Sequence, residues 1–207
     1  MNEQNKKNKS DVFTKKDVVQ YNWKLTLRGL RFLHSKTISL VKLEKEEGVI
    51  VEVGSGTGLI LRRLRSIYPK AKLLGIDASA DMVKFAKANS DSSIEYKMAY
   101  ASDLPVVGDS TDFSVSVLSA HHMDEEEKKE LVREMKRITK SGGYILISDF
   151  GRANTWYGKM LAFLSSSHSH TKNNFEVIDK SIEENKLEIV SRHVQFGYIE
   201  HLLARKA

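Results

Sequence analysis

The chain has 207 residues, 41% of them hydrophobic, which is enough to build a buried core in one domain of ordinary size. It contains no cysteine, which excludes disulfides, thiolate metal sites and cysteine nucleophiles. The formal charge of +6 is unevenly placed: Lys6, Lys7, Lys9, Lys15 and Lys16 crowd the start of the chain and leave the body only mildly basic, so nucleic acid is not expected as a partner.

In chain order, residues 1–16 read as a disordered Lys-rich tail with almost nothing to bury. The start of the chain lacks the apolar core of a signal peptide, and no apolar run approaches the roughly 20 residues a membrane span needs, so a cytoplasmic location is the default expectation. Residues 17–45 place Val18, Tyr21, Leu25, Leu27, Leu30, Leu33, Ile38 and Val41 at helical spacing and predict one or two helices. From residue 46 the pattern becomes that of a single α/β domain running to residue 207. Strands are predicted at Val49–Val53, Lys72–Asp77, Ile94–Ala99, Phe113–Leu118 and Tyr144–Ser148. The helices between them start at Leu59, after Ser79 and at Asp124, and the last carries an inner stripe of Leu131, Met135 and Ile138. Ser141 to Gly143 are read as the turn that ends this helix. A further helix near residues 171–185 precedes two strands, Leu187–Val194 and Tyr198–Leu203, joined by a short turn at Gln195–Gly197. Alternating strands and helices imply parallel strands covered on both faces, and the two last strands add an antiparallel hairpin, seven strands in all. Such a sheet binds ligand beyond the carboxyl ends of its strands.

The segment Glu52 to Gly58 (EVGSGTG) is the chemically informative one. Glycines at alternate positions after a strand let the backbone turn sharply and approach a ligand, while the next helix offers its free N–H groups. Asp77, at the end of the second strand, can accept hydrogen bonds from both hydroxyls of a ribose. Together these features predict a site for a nucleoside-bearing molecule. A dinucleotide fingerprint wants its third glycine five positions after the first, where this chain has Leu59.

Glu-x-Gly-x-Gly-x-Gly, with Glu52 on the strand, resembles the first motif of the class I S-adenosylmethionine-dependent methyltransferases. The resemblance continues in register over residues 49–149. It takes in Gly75 to Ala86, the loop Ala101 to Pro105, the strand end Ser119 to Met123 and the segment Glu134 to Gly143, and the closing hairpin also belongs to that fold. The nearest subgroup is that of small-molecule methyltransferases related to the ubiquinone and menaquinone biosynthesis enzymes. The resemblance implies a Rossmann-like seven-stranded sheet, mostly parallel, with S-adenosylmethionine as cofactor, S-adenosylhomocysteine as product and no metal. It places Glu52, Gly54, Ser55, Gly56, Gly58, Asp77, Ala78, Met82, Tyr100, Ala101 and Ser119 at the cofactor, with Ala78 and Met82 beside the adenine. The family usually carries an acid that bonds the adenine amino group where this chain has Tyr100, which leaves Tyr100 stacking, the Ala101 backbone or Asp103 for that contact.

Methyl transfer is an in-line displacement that needs alignment, and a base only where the acceptor must lose a proton. His121 and His122, at the end of the fourth strand, are the candidate catalytic residues; neighbours on a strand end point to opposite sides, so at most one of them faces the ligand. The reading beside it is a polar strand-to-helix junction. The acids from Asp124 to Glu130 are read as a solvated helix face, not a metal site. His168 and His170 are read as loop residues, and Trp156 to Leu164 as either a core helix or a cover over the substrate. The absence of an Asn-Pro-Pro-Tyr motif speaks against exocyclic amine acceptors, and the short span from Asp149 to Leu187 against a long isoprenoid. The expected activity is methyl transfer to a small, partly apolar molecule. A nicotinamide-dependent oxidoreductase and a non-catalytic S-adenosylmethionine-binding protein are the alternatives, and the oligomeric state is not legible.

Overall fold

The structure, a computed structural model, describes residues 30–153, 155–156 and 174–207. The expected tail, the first part of the N-terminal helical segment, most of the segment from Trp156 to Leu164, and His168 and His170 lie outside the described residues. The elements are α1 (Leu30–Leu40), β1 (Val49–Val53), α2 (Leu59–Ile67), β2 (Lys72–Asp77), α3 (Ala80–Ala88), β3 (Ile94–Met98), β4 (Thr111–Val117), α4 (Glu125–Ile138), β5 (Thr139–Phe150), α5 (Asn174–Glu184), β6 (Glu188–Gln195) and β7 (Ile199–Arg205). They form a seven-stranded sheet in the order β3-β2-β1-β4-β5-β7-β6. The first five strands in that order pair in parallel, and β7 runs antiparallel to both β5 and β6. The predicted architecture of a mostly parallel α/β sheet with an antiparallel C-terminal hairpin is the observed one.

Alternation along the strands divides the core into two layers. On β5, Leu146 points to the layer that holds Leu61 and Leu64 of α2 and Val83 and Ala86 of α3, with Val41 beyond α1. Ile145 and Ile147 point to the opposite layer, against Leu131, Met135 and Ile138 of α4 and Ile178 of α5. The three α4 residues predicted as its inner stripe have no solvent exposure.

Local chemistry sets most element ends. Ser79 accepts a hydrogen bond from the Met82 N–H and starts α3. Asp124 and Glu127 form a reciprocal capping box at the start of α4. The Ser141 to Gly143 turn is displaced from its predicted role: α4 already ends at Ile138, and the chain enters β5 at Thr139, where the Thr139 hydroxyl bonds back to the Met135 carbonyl at 2.6 Å. Gly142, at φ +80°, instead lets the chain bend so that Gly142 and Gly143 exchange backbone hydrogen bonds with Lys206. The β6–β7 hairpin turns through residues 196–198, with Phe196 and Gly197 both at positive φ and the Tyr198 N–H donating to the Gln195 carbonyl.

Two contacts fix the parts that frame the carboxyl ends of the strands. At φ +74°, Gly54 packs so closely on β4's end that an added Cβ would lie 2.0 Å from Ser119 Oγ, whereas at Gly56 it would meet nothing within 4 Å. His201, fully buried on β7, bonds Ser148 Oγ of β5 at 2.9 Å and Gln195 Oε1 at 3.1 Å, and lies 3.5 Å from Thr37 Oγ1 of α1. Burial lowers its pKa to about 4, with Lys36 and His193 adding to the effect.

Two measurements test this packing. Gly54→Ala is expected to lower the unfolding free energy by several kcal/mol more than Gly56→Ala, since both meet left-handed strain of about 1–2 kcal/mol but only the former collides with Ser119; equal losses in urea titrations would contradict the contact. The unfolded His201 takes up its proton near pH 6.5 and the folded one near 4, so stability present above 6.5 falls as the pH drops through that window, by about 1.4 kcal/mol per pH unit from this group. In His201→Gln that slope should flatten by roughly this amount.

Candidate active site

The parallel strands end on a cavity of about 250 Å³. Its wall is built from the loop after β1, the ends of β2 and β4, the loop after β3 and His34 of α1. The loop after β1 leaves the strand at Gly54, and Gly58 starts α2 at φ +76° without a side-chain cap. Asp77 holds this loop in place. One carboxylate oxygen accepts the Gly56 N–H at 2.7 Å and the other the Ser79 N–H at 2.9 Å, joining the β1 loop to the start of α3. The loop after β3 is tied to α4 instead. Glu134 accepts the Leu104 N–H at 2.9 Å, and Arg137 bonds Glu134 and the carbonyls of Leu104 and Val106. Arg137 holds the Glu134 carboxyl below the usual carboxylate range.

Of the residues singled out from sequence, Glu52, Gly54, Ser55, Gly56, Asp77, Ala78, Met82, Tyr100, Ala101, Ser119 and His122 line this cavity. Gly58 stands behind the wall, where an added Cβ would strike the Tyr96 hydroxyl at 2.3 Å. His121 is not on the lining either.

The electrostatics are acidic. Glu52 is 2% exposed, and its Oε2 has no hydrogen-bond partner. Burial pushes its carboxyl well above the ordinary value, Asp77 adds to this and Arg62 opposes it. Burial also raises the Asp77 pKa, against the two backbone N–H groups it accepts. Glu127 lines the rim, and no Lys or Arg is among the described lining residues. A cavity with this lining favours a ligand bearing hydroxyls or positive charge, which can donate to buried carboxyl oxygens.

The two histidines sit on a short 3-10 turn, Ala120–His122, and not on the strand end predicted for them. On this turn they separate by depth. His122 reaches the cavity wall, while His121, 4% exposed, turns inward with its Nδ1 at 2.8 Å from Asp149 Oδ1. Asp149 is 1% exposed and also accepts the backbone N–H groups of His121 and Phe150 at 3.2 and 2.7 Å. Burial pushes the Asp149 carboxyl up, but His121 and these hydrogen bonds outweigh it and leave the pKa below the usual value. An ionised carboxylate only accepts, so the His121 Nδ1 carries a proton. The imidazole of His121 lies 4.0 Å from that of His122 and 4.7 Å, edge-on, from the Phe150 ring.

The acids that follow are used along α4: Asp124 and Glu127 cap the helix, Glu126 pairs with Lys129, and Glu130 with Arg133. Two participants escape sequence reading. Asp149 stands one residue past the predicted end of β5. His34 lines the cavity from α1, and its only sequence signal is a polar residue on the same helical stripe as Ile38 and Val41.

Comparisons with known proteins agree with this geometry. A family described as "Methyltransferase domain" matches residues 50–143. The chain is 30% identical over 129 residues to a malonyl-[acyl-carrier protein] O-methyltransferase of Hahella chejuensis, covering 58% of this chain and 46% of that protein. It is 23% identical over 108 residues to the ubiquinone/menaquinone biosynthesis C-methyltransferase UbiE of Syntrophotalea carbinolica, covering 51% and 45%. The chain thus spans about half the length of these relatives. A solved SAM dependent methyltransferase from Aquifex aeolicus superposes with a TM-score of 0.71 at 17% identity, covering 94% of this chain and 100% of the other, and shares the fold. Residues 50–143 thus match a methyltransferase domain, and the glycine loop and sheet order are those of the class I S-adenosylmethionine-dependent methyltransferase fold.

Proposed function

We propose that this protein binds S-adenosylmethionine in the cavity at the ends of β1 and β2 and transfers its methyl group to a small, partly apolar acceptor. The observation that carries the reading is the open cradle over Gly56, where an added side chain would meet nothing within 4 Å, beside Asp77, whose carboxylate already orders the loop and keeps lone pairs for a ribose. The unpartnered Oε2 of buried Glu52 supplies the other polar requirement, an acceptor that awaits a donor. The cofactor fits these residues. Its activated sulfonium methyl supplies the chemistry, and the chain supplies alignment and exclusion of water.

Within that reading each residue has a task. Gly54, Ser55 and Gly56, whose N–H groups are taken by the Ile76 carbonyl and by Asp77, let the loop backbone come close to the ligand, and Gly58 shapes the turn against Tyr96. Asp77 accepts the ribose hydroxyls, Ala78 and Met82 form the adenine's apolar wall, and Tyr100 and Ala101 close it from the β3 loop. Ser119 and His122 flank the reacting end. His122 takes the proton of an acceptor O–H or N–H as the new bond forms, and His121, held by Asp149, positions the His122 ring at 4.0 Å. A small acceptor suits a wall that includes Leu118, Met123 and Ile60 beside one imidazole.

Calorimetry with S-adenosylhomocysteine tests the first half. Saturable binding is expected, weakened about tenfold or more in Asp77→Ala, a loss of at least ~1.4 kcal/mol; no binding, or equal affinity in the variant, overturns it. For the second half, labelled cofactor and fractionated extract should yield a labelled small molecule. His122→Ala should slow its formation by about 10²-fold or more if a proton is removed. Label recovered in RNA or protein would refute the small acceptor.

A further inference from the structure

Among the described residues, His34 is what α1 contributes to the cavity lining, and nothing in the mechanism above uses it. It is 5% exposed, and its Nδ1 is buried without a hydrogen-bond partner. A buried ring nitrogen left unsatisfied is unfavourable, so a partner supplied by a ligand would relieve a standing penalty.

The position of α1 in the fold tells which part of a ligand it meets. One turn further along the helix, Thr37 stands 3.5 Å from His201 of β7, which in turn bonds Ser148 of β5. The same helix packs against α2. His34 therefore approaches the cavity from the β4–β5 side, whereas Asp77, Ala78, Tyr100 and Ala101 stand at the ends of β2 and β3. An elongated nucleoside with its ribose at Asp77 extends its other end toward His34. In S-adenosylmethionine that end is an amino acid, with an ammonium and a carboxylate. The ammonium finds acceptors in a cavity lined by Glu52, Asp77 and Glu127, while the carboxylate needs a donor and meets no Lys or Arg among the described lining residues.

Resting on the cofactor reading above, we propose that His34 is a further cofactor-binding residue, a hydrogen-bond donor from α1 to the amino-acid carboxylate. The charged groups around it are Arg63 on α2, Glu52 at the end of β1, Asp77 at the end of β2, His122 on the 3-10 turn and Glu127 on α4. Burial, with Arg63 adding, lowers its pKa to about 4, so the imidazole is neutral at pH 7 and offers one N–H. On this account α1 completes the cofactor site and does more than cover the sheet.

The test compares two ligands on the full chain by calorimetry at pH 7: S-adenosylhomocysteine, and 5′-methylthioadenosine, which keeps the thioether nucleoside and lacks the amino acid. His34→Ala should bind S-adenosylhomocysteine at least fivefold more weakly than the unsubstituted protein and bind 5′-methylthioadenosine unchanged. His34→Gln, which retains a donor, should recover part of the loss. Unchanged affinity for S-adenosylhomocysteine in His34→Ala overturns the assignment. So does an equal loss for both ligands, which would mean that the substitution disturbs the cavity as a whole. Failure of the unsubstituted protein to bind either ligand would instead bring down the cofactor reading itself.

Discussion

The Asp77 carboxylate holds the cavity together. One short acidic side chain at the end of β2 takes the Gly56 N–H at 2.7 Å and the Ser79 N–H at 2.9 Å, fastening the loop that leaves β1 to the loop that enters α3. Neither loop has a regular ladder to hold it, and both must stay open to admit a ligand. The carboxylate does for them what strand pairing does for the sheet, at a point where burial already raises its own pKa. Gly54 is pressed on Ser119 for the same reason. The β1 loop is clamped between β2 and β4, and only the Gly56 side of it remains free.

The second group of constraints lies across the sheet, where Asp149 accepts three hydrogen bonds while fully enclosed. An isolated carboxylate at that depth would be strongly unfavourable, and the imidazole of His121 with two backbone N–H groups offsets the cost. The arrangement divides two sequence neighbours into different tasks. His121 is spent on satisfying Asp149, and His122 is left at the wall against the His121 ring. The tight 3-10 turn makes this possible, because on an extended strand the two rings would have pointed to opposite sides and could not have met at 4.0 Å.

Contacts made within one turn of chain were legible in advance. Ser79 capping α3, the start of α4 at Asp124, the apolar stripe of Leu131, Met135 and Ile138, and the turn at Gln195–Gly197 all follow from side chains three or four positions apart or from the special backbone freedom of glycine. Where the reading slipped, a distant partner had intervened. Ser141 to Gly143 look like a helix stop, but Lys206, at the far end of the chain, pairs with Gly142 and Gly143 and draws them into β5. His34 looks like one polar residue on an apolar stripe, and only the packing of α1 beside β5 and β7 brings it to the cavity.

By itself the sequence determined the type of each strand and of the helices between them, the parallel character of the sheet and the glycine loop followed by an acid, because helical period, strand alternation and glycine freedom are local properties of the backbone. Tertiary structure alone decided the strand order β3-β2-β1-β4-β5-β7-β6, the pairing of His121 with Asp149 across 28 positions and the approach of α1 to the ligand cavity. Those depend on which buried surfaces and unsatisfied polar groups find each other once the chain has closed on itself. That choice is set by competition among distant partners, and no window of sequence contains it.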